Sequence, residues 1–194
     1  MQQLISEAQR IFPNDPIRQK LVVTQAVLES GLLNGGSDLA LKDNNLFGNK
    51  GSGTDGTVDV KTQEFENGQY VTITAGFAKN KTVSDSFNLY KQLVAGNSRY
   101  QSVMSAGTFE AAARNIQADG YATDPNYATD IINLYNSNIA AYFDKYAGSS
   151  NTVVQNPAPT PTPTQPPTTT PTPSAEPTQP DTDGGTYGIT ITSG

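Results

Sequence analysis

Apolar residues recur at helical intervals through most of the first 146 positions, with one interval of strict alternation. Leu4, Ile5, Ala8, Ile11 and Phe12 share one helical face, and 13–16 (Pro-Asn-Asp-Pro) break that helix. The next helix starts with Asp15 as N-cap and Pro16 in the first turn, and Gly31 ends it. A short turn over 37–42 follows, and then 49–57, rich in Gly, Ser, Thr and Asp, which is expected to be a mobile loop. From Val58 to Phe65 the period changes to two, with Val58, Val60, Thr62 and Glu64 on one face. Asn67-Gly68 supplies a two-residue hairpin turn, and 70–77 return, so Glu66 should pair with Gln69 and Glu64 with Val71. Helical spacing resumes with Val83, Phe87, Tyr90 and Val94, then a short helix over 98–104. Thr108 can cap a helix carrying Phe109, Ala112, Ala113 and Ile116, with Gly120 as its stop. Asp124-Pro125 repeats the cap-and-proline start, for a last helix reaching about Tyr146. Its apolar side carries Tyr127, Ile131, Ile132, Tyr135, Ile139, Tyr142 and Phe143, and these tyrosines read as core.

Past Gly148 the pattern stops. Ten of the 13 prolines fall between Pro157 and Pro180, interleaved with Thr, Ser and Gln. Such a stretch cannot bury enough surface to fold and is expected to be an extended, polyproline-biased linker. The chain thus divides into a domain over 1–148, a Pro/Thr-rich flexible linker over 149–185, and 186–194, a tail or the start of a truncated C-terminal module. The predicted class is mainly α with a small β-hairpin lobe (α+β), large enough to enclose a core.

Composition narrows the chemistry. With neither cysteine nor histidine among 194 residues, thiol nucleophiles, histidine-based triads and the usual zinc hydrolase sites are excluded. Acid–base catalysis would have to come from carboxylates, aided by tyrosine. No cofactor or metal is expected. The net charge of −6 offers no basic surface for nucleic acid, and no apolar run is long enough for membrane insertion. Met1 leads directly into a polar amphipathic segment, so no secretory signal is visible.

Two carboxylates stand out. Glu29 lies one turn beyond Gln25 and Ala26, on the edge of an apolar face at the negative end of its helix. Desolvation and the dipole both disfavour its charge and should raise its pKa, as a glycosidase acid requires. From the helix alone, a solvated glutamate in a last turn is the simpler reading. Glu64, on the hairpin, is the second candidate, to position water or to stabilise a cationic transition state. Taken alone, it too could be a solvated strand residue.

Four blocks of sequence add to this. They are 26–31 (AVLESG), 44–51 (NNLFGNKG), 62–68 (TQEFENG) and 120–128 (GYATDPNYA). In this order and spacing the chain resembles the N-acetylglucosaminidases of glycoside hydrolase family 73, over roughly residues 2–146. That family includes flagellar muralytic domains, autolysins and phage lysins. The resemblance implies a lysozyme-like fold with an α-lobe and a small β-lobe flanking a groove. It also implies Glu29 as general acid, Glu64 as the β-lobe glutamate, and Tyr121 as the tyrosine that positions the N-acetyl group or the water. Asn45 and Phe47 would line the groove floor, and Tyr127 of the last block would contact substrate. Asp124 remains an N-cap. The sequence departs from the family at Leu32-Leu33, where Trp-Gly is usual, and at 77–80 (FAKN), where Phe-Arg-x-Tyr is usual.

The leading expectation is an endo-β-N-acetylglucosaminidase that cleaves peptidoglycan after N-acetylglucosamine. Its partners would be glycan strands, with a possible C-terminal wall-binding or virion-attachment module. The site of action would be the bacterial cell wall, reached as a phage lysin or virion-associated protein, or as a secreted autolysin whose signal has been removed. A muramidase or lytic transglycosylase on the same fold is the alternative enzyme, although the Gly-Leu-Met-Gln block typical of transglycosylases is missing. A non-catalytic glycan-binding module is the alternative of another class.

Overall fold

The structure, a computed structural model, describes residues 1–66 and 69–146. The expected linker over 149–185, the tail or module start over 186–194 and the expected Asn67-Gly68 turn lie outside the described residues.

Among the described residues eight α-helices and one hairpin follow in order: α1 (Gln2–Ile11), α2 (Pro16–Ser30), α3 (Asp38–Asp43), β1 (Thr57–Glu66), β2 (Gln69–Ala78), α4 (Val83–Ala95), α5 (Gln101–Ser105), α6 (Phe109–Ala118), α7 (Tyr127–Leu134) and α8 (Ala140–Tyr146). None of them is long and apolar enough to cross a membrane. Around α2 are packed α1, α6 and α7, and the core residues of α4 join the same cluster. Accordingly α2 is buried along most of its length, Leu21 to Val27 without interruption. The Asp15 carboxylate accepts the N–H of Arg18 at 3.1 Å, as its capping role requires, and Gly31 closes the helix at φ +66°. Arg18 is itself buried, and its guanidinium donates to the carbonyls of Met104 and Ala106, pinning the C-terminal end of α5 to the start of α2.

β1 and β2 pair antiparallel, with Glu66 opposite Gln69 and Glu64 opposite Val71. The hairpin is therefore in the register that a two-residue turn dictates.

Two expectations are corrected. The loop over 49–57 is tied down at many points. Gly51 N–H bonds the Gly76 carbonyl, Asp55 N–H bonds that of Lys79, and Thr54 Oγ1 donates to Asp85 at 2.9 Å. Gly53 lies so close to the Lys79 carbonyl that a Cβ would collide with it. Gly53 thus serves close backbone approach, whereas Gly51 and Gly56 supply positive φ. The second correction concerns Asp124. The last helical stretch begins at Tyr127, and the Asp124 carboxylate accepts the N–H of Asn126 in the turn before it. Gln117 of α6 does the capping instead. Its amide donates to the Pro125 carbonyl at 2.9 Å and accepts the Ala128 N–H at 2.8 Å.

Between α7 and α8, Tyr135–Ile139 form a π-helical turn. Tyr127, Ile131, Tyr135, Ile139 and Phe143 are all buried at a strict spacing of four. In a regular α-helix that spacing drifts by about 40° per step; one wider turn cancels part of the drift and keeps the row facing the core.

Candidate active site

The site is built on the inner face of α2. Gln25 and Glu29 are four residues apart, hence on one face, and both are buried. Between them stands one hydroxyl, that of Tyr127. It accepts a hydrogen bond from Gln25 Nε2 at 3.0 Å and donates to Glu29 Oε1 at 2.5 Å. Tyr127 is the first residue of α7, so the Gln117 bracket that sets where α7 starts also sets where this hydroxyl falls.

Glu29 retains only 8% exposure. Burial pushes its carboxyl up to about 7, and the hydrogen bond from Tyr127, which favours the ionised form, opposes this only in part. The carboxylic acid is therefore substantially protonated at neutral pH.

Tyr121 reaches the same place from the end of α6. Its N–H bonds the Ile116 carbonyl at 3.1 Å and that of Gly120 bonds Gln117 at 2.9 Å, with Gly120 at φ +76°. This double closure turns the chain sharply and delivers Tyr121 inward. Its ring stacks on Tyr127, with centroids 5.9 Å apart and planes at 25°. Its hydroxyl is buried with no hydrogen-bond partner among the described residues. A buried, unsatisfied hydroxyl is costly unless something else satisfies it.

Asn45 and Phe47 are both buried. The Asn45 amide is taken up by the Asn49 N–H, the Asn49 carbonyl and the Ala78 carbonyl, which ties the base of the hairpin to the body. Phe47 packs against Phe87 and Tyr90, with ring centroids at 5.3 Å and 4.7 Å. Glu64 lies on β1 opposite Val71. The structure thus brings Glu29, Tyr121 and Tyr127 together, with Phe47 in the core behind Tyr90. Gln25 and Tyr90 belong to the same assembly: the Tyr90 hydroxyl donates to Gln25 Oε1 at 2.5 Å. The sequence reading missed both. The one available signal was the spacing of four between Gln25 and Glu29. Among the described residues no cluster of three His, Cys, Asp or Glu is placed to hold a metal.

A glucosaminidase family model, described as mannosyl-glycoprotein endo-beta-N-acetylglucosaminidase, matches residues 5–140. The chain belongs to this family. The glucosaminidase domain is 40% identical over 133 residues to the exo-glucosaminidase LytG of Bacillus subtilis, covering 66% of this chain and 46% of LytG. It is 34% identical over 139 residues to the peptidoglycan hydrolase FlgJ of Escherichia coli K12, covering 68% of this chain and 44% of FlgJ. The chain therefore spans less than half the length of these curated relatives. Among solved structures, the catalytic domain of the autolysin Auto from Listeria monocytogenes superposes with a TM-score of 0.61 at 30% identity, covering 72% of this chain and 83% of that one. The fold of the glucosaminidase domain is lysozyme-like, mostly helical with one small hairpin.

Proposed function

We propose that this chain is an endo-β-N-acetylglucosaminidase that hydrolyses the β-1,4 bond after N-acetylglucosamine in peptidoglycan. The observation that carries the reading is the buried Glu29 carboxyl, held near a pKa of 7 and hydrogen-bonded to Tyr127, in a chain of this family. Glu29 gives its proton to the glycosidic oxygen as the C–O bond breaks. The departing chain leaves as an alcohol, and the N-acetylglucosamine carbon becomes cationic. Water then adds to that carbon, its proton passing to Glu64, or the substrate's own acetamido group closes on the carbon first. In either route Tyr121 steadies the acetamide or the water, and the unpartnered Tyr121 hydroxyl supports that role. Tyr127 orients the acid, while Asn45 and Phe47 shape the groove floor from below. The stretch over 149–185 serves as a tether to a wall-binding or virion-attachment module, as a phage lysin would use it.

Digestion of purified peptidoglycan by wild type and Glu29→Gln, with borohydride reduction and mass analysis, tests this. The proposal requires fragments ending in reduced N-acetylglucosamine from wild type and none from the variant. Reduced muramic ends would make the chain a muramidase, and anhydro ends a lytic transglycosylase. Release from chain ends alone would make it an exo-enzyme, the activity in LytG's name. Binding to walls without release would leave a glycan-binding module.

A further inference from the structure

The three hydroxyl and amide groups beside Glu29 form a chain with a direction. Tyr90 donates to Gln25 Oε1, Gln25 Nε2 donates to the Tyr127 oxygen, and Tyr127 donates to Glu29 Oε1. The Tyr90 end fixes that direction in both protonation states of Glu29: the Tyr90 hydroxyl is fully buried and its proton goes to Gln25 Oε1. Once Glu29 is ionised its carboxylate only accepts, so Tyr127 must then give it its proton as well. Turning the Gln25 amide over would leave the Tyr90 proton without a partner and let the Tyr127 proton turn from Glu29 to Gln25. Buried groups left unpaired in this way are costly, so the chain runs one way.

We propose that Gln25 and Tyr90 are positioning residues, which lock the Tyr127 hydroxyl as a donor to Glu29 Oε1 and so select Oε2 as the oxygen that carries the transferable proton. Neither residue touches substrate in this account. The catalytic consequence rests on the reading of Glu29 as the acid; the hydrogen-bond arrangement does not. Among the described residues, the titratable groups facing Glu29 are Tyr127 from α7, Tyr121 from the connector after α6 and Tyr90 from α4. Burial pushes all three upward, so they stay neutral while Glu29 titrates. A change in the Glu29 titration on altering Tyr90 therefore reports the hydrogen bond and not a lost charge.

The test is a 13C NMR titration of the Glu29 carboxyl in the full chain, its signal assigned by its disappearance in Glu29→Gln. Tyr90→Phe keeps the ring and removes the donor that orients Gln25. Weaker donation by Tyr127 disfavours the carboxylate, so the Glu29 midpoint should rise by about half a pH unit or more. In a Tyr127→Phe background the same substitution should add nothing, because the link to Glu29 is already cut. Gln25→Met, which removes the amide while keeping its length, should raise the midpoint as Tyr90→Phe does. An unmoved midpoint in both Tyr90→Phe and Gln25→Met would overturn the proposal, whatever either does to stability. So would a Tyr90→Phe shift that persists without the Tyr127 hydroxyl. The peptidoglycan digestion is read separately: wild type that releases nothing defeats the glucosaminidase reading, while the titration still decides this one.

Discussion

At the scale of the residue, the decisive fact is one carboxyl on the wrong side of its usual equilibrium. Glu29 prefers to be protonated because burial removes water from around its charge. That preference has a stability consequence with a definite sign. The folded-state pKa, about 7, lies above the ordinary 4.5, so between those values the folded chain holds a proton that the unfolded chain has released. The stabilisation is full below pH 4.5 and is lost as pH rises through 7. Glu29→Gln, which stays neutral and keeps an acceptor for Tyr127, should therefore gain on wild type as pH rises. By pH 8.5 its advantage should reach on the order of 2–3 kcal/mol beyond any difference at pH 4. Urea denaturation at the two pH values measures this, and a pH-independent difference would contradict it. Helical spacing put Glu29 on the edge of an apolar face, but the helix alone read more simply as ending in a solvated glutamate, and the family resemblance was what singled it out. Gln25 and Tyr90 were not legible as partners. A glutamine on a helix face and a tyrosine in an apolar stripe look like filler until tertiary packing brings their polar ends together.

At the scale of the element, the helices and the hairpin register followed from periodicity, caps and one turn signal. What escaped was everything decided across elements. Asp124-Pro125 has the local chemistry of a helix start, but the Gln117 amide reaches over from α6 and sets the start at Tyr127. The composition of 49–57 reads as a loose loop, but Gly53 lets the backbone lie against the strand end at Lys79. Removing the Gln117 bracket by Gln117→Ala should cost about 1–2 kcal/mol, and it should lower kcat more than stability explains by letting Tyr127 shift. Parallel urea melts and kinetics on soluble glycan fragments would show it; unchanged kcat would dismiss the link. At the end of the same helix, Gly120→Ala forces a side chain into φ +76° and against the Arg99 guanidinium. It should destabilise by at least about 1 kcal/mol and disturb the placement of Tyr121. A variant as stable and as active as wild type would show that the turn does not position that tyrosine.

At the scale of the whole molecule, the chain has a buried acid in a helical body, a small hairpin lobe, and then a stretch whose composition favours a tether. If 149–185 acts as that tether, a fragment ending at 148 should cleave soluble glycan fragments as fast as the full chain. On intact sacculi it should do so only if nothing beyond 148 helps to hold the wall; a slower fragment there would assign wall engagement to the tail. The central claim is that Glu29 works as a protonated general acid. The pH dependence of kcat/KM on peptidoglycan fragments, measured for wild type and Glu29→Gln, tests it most directly. The wild-type rate should fall tenfold per pH unit above about pH 7, and the variant should be slower by about 100-fold or more below that point. A rate that holds level to pH 9, or a variant as fast as wild type, would contradict it.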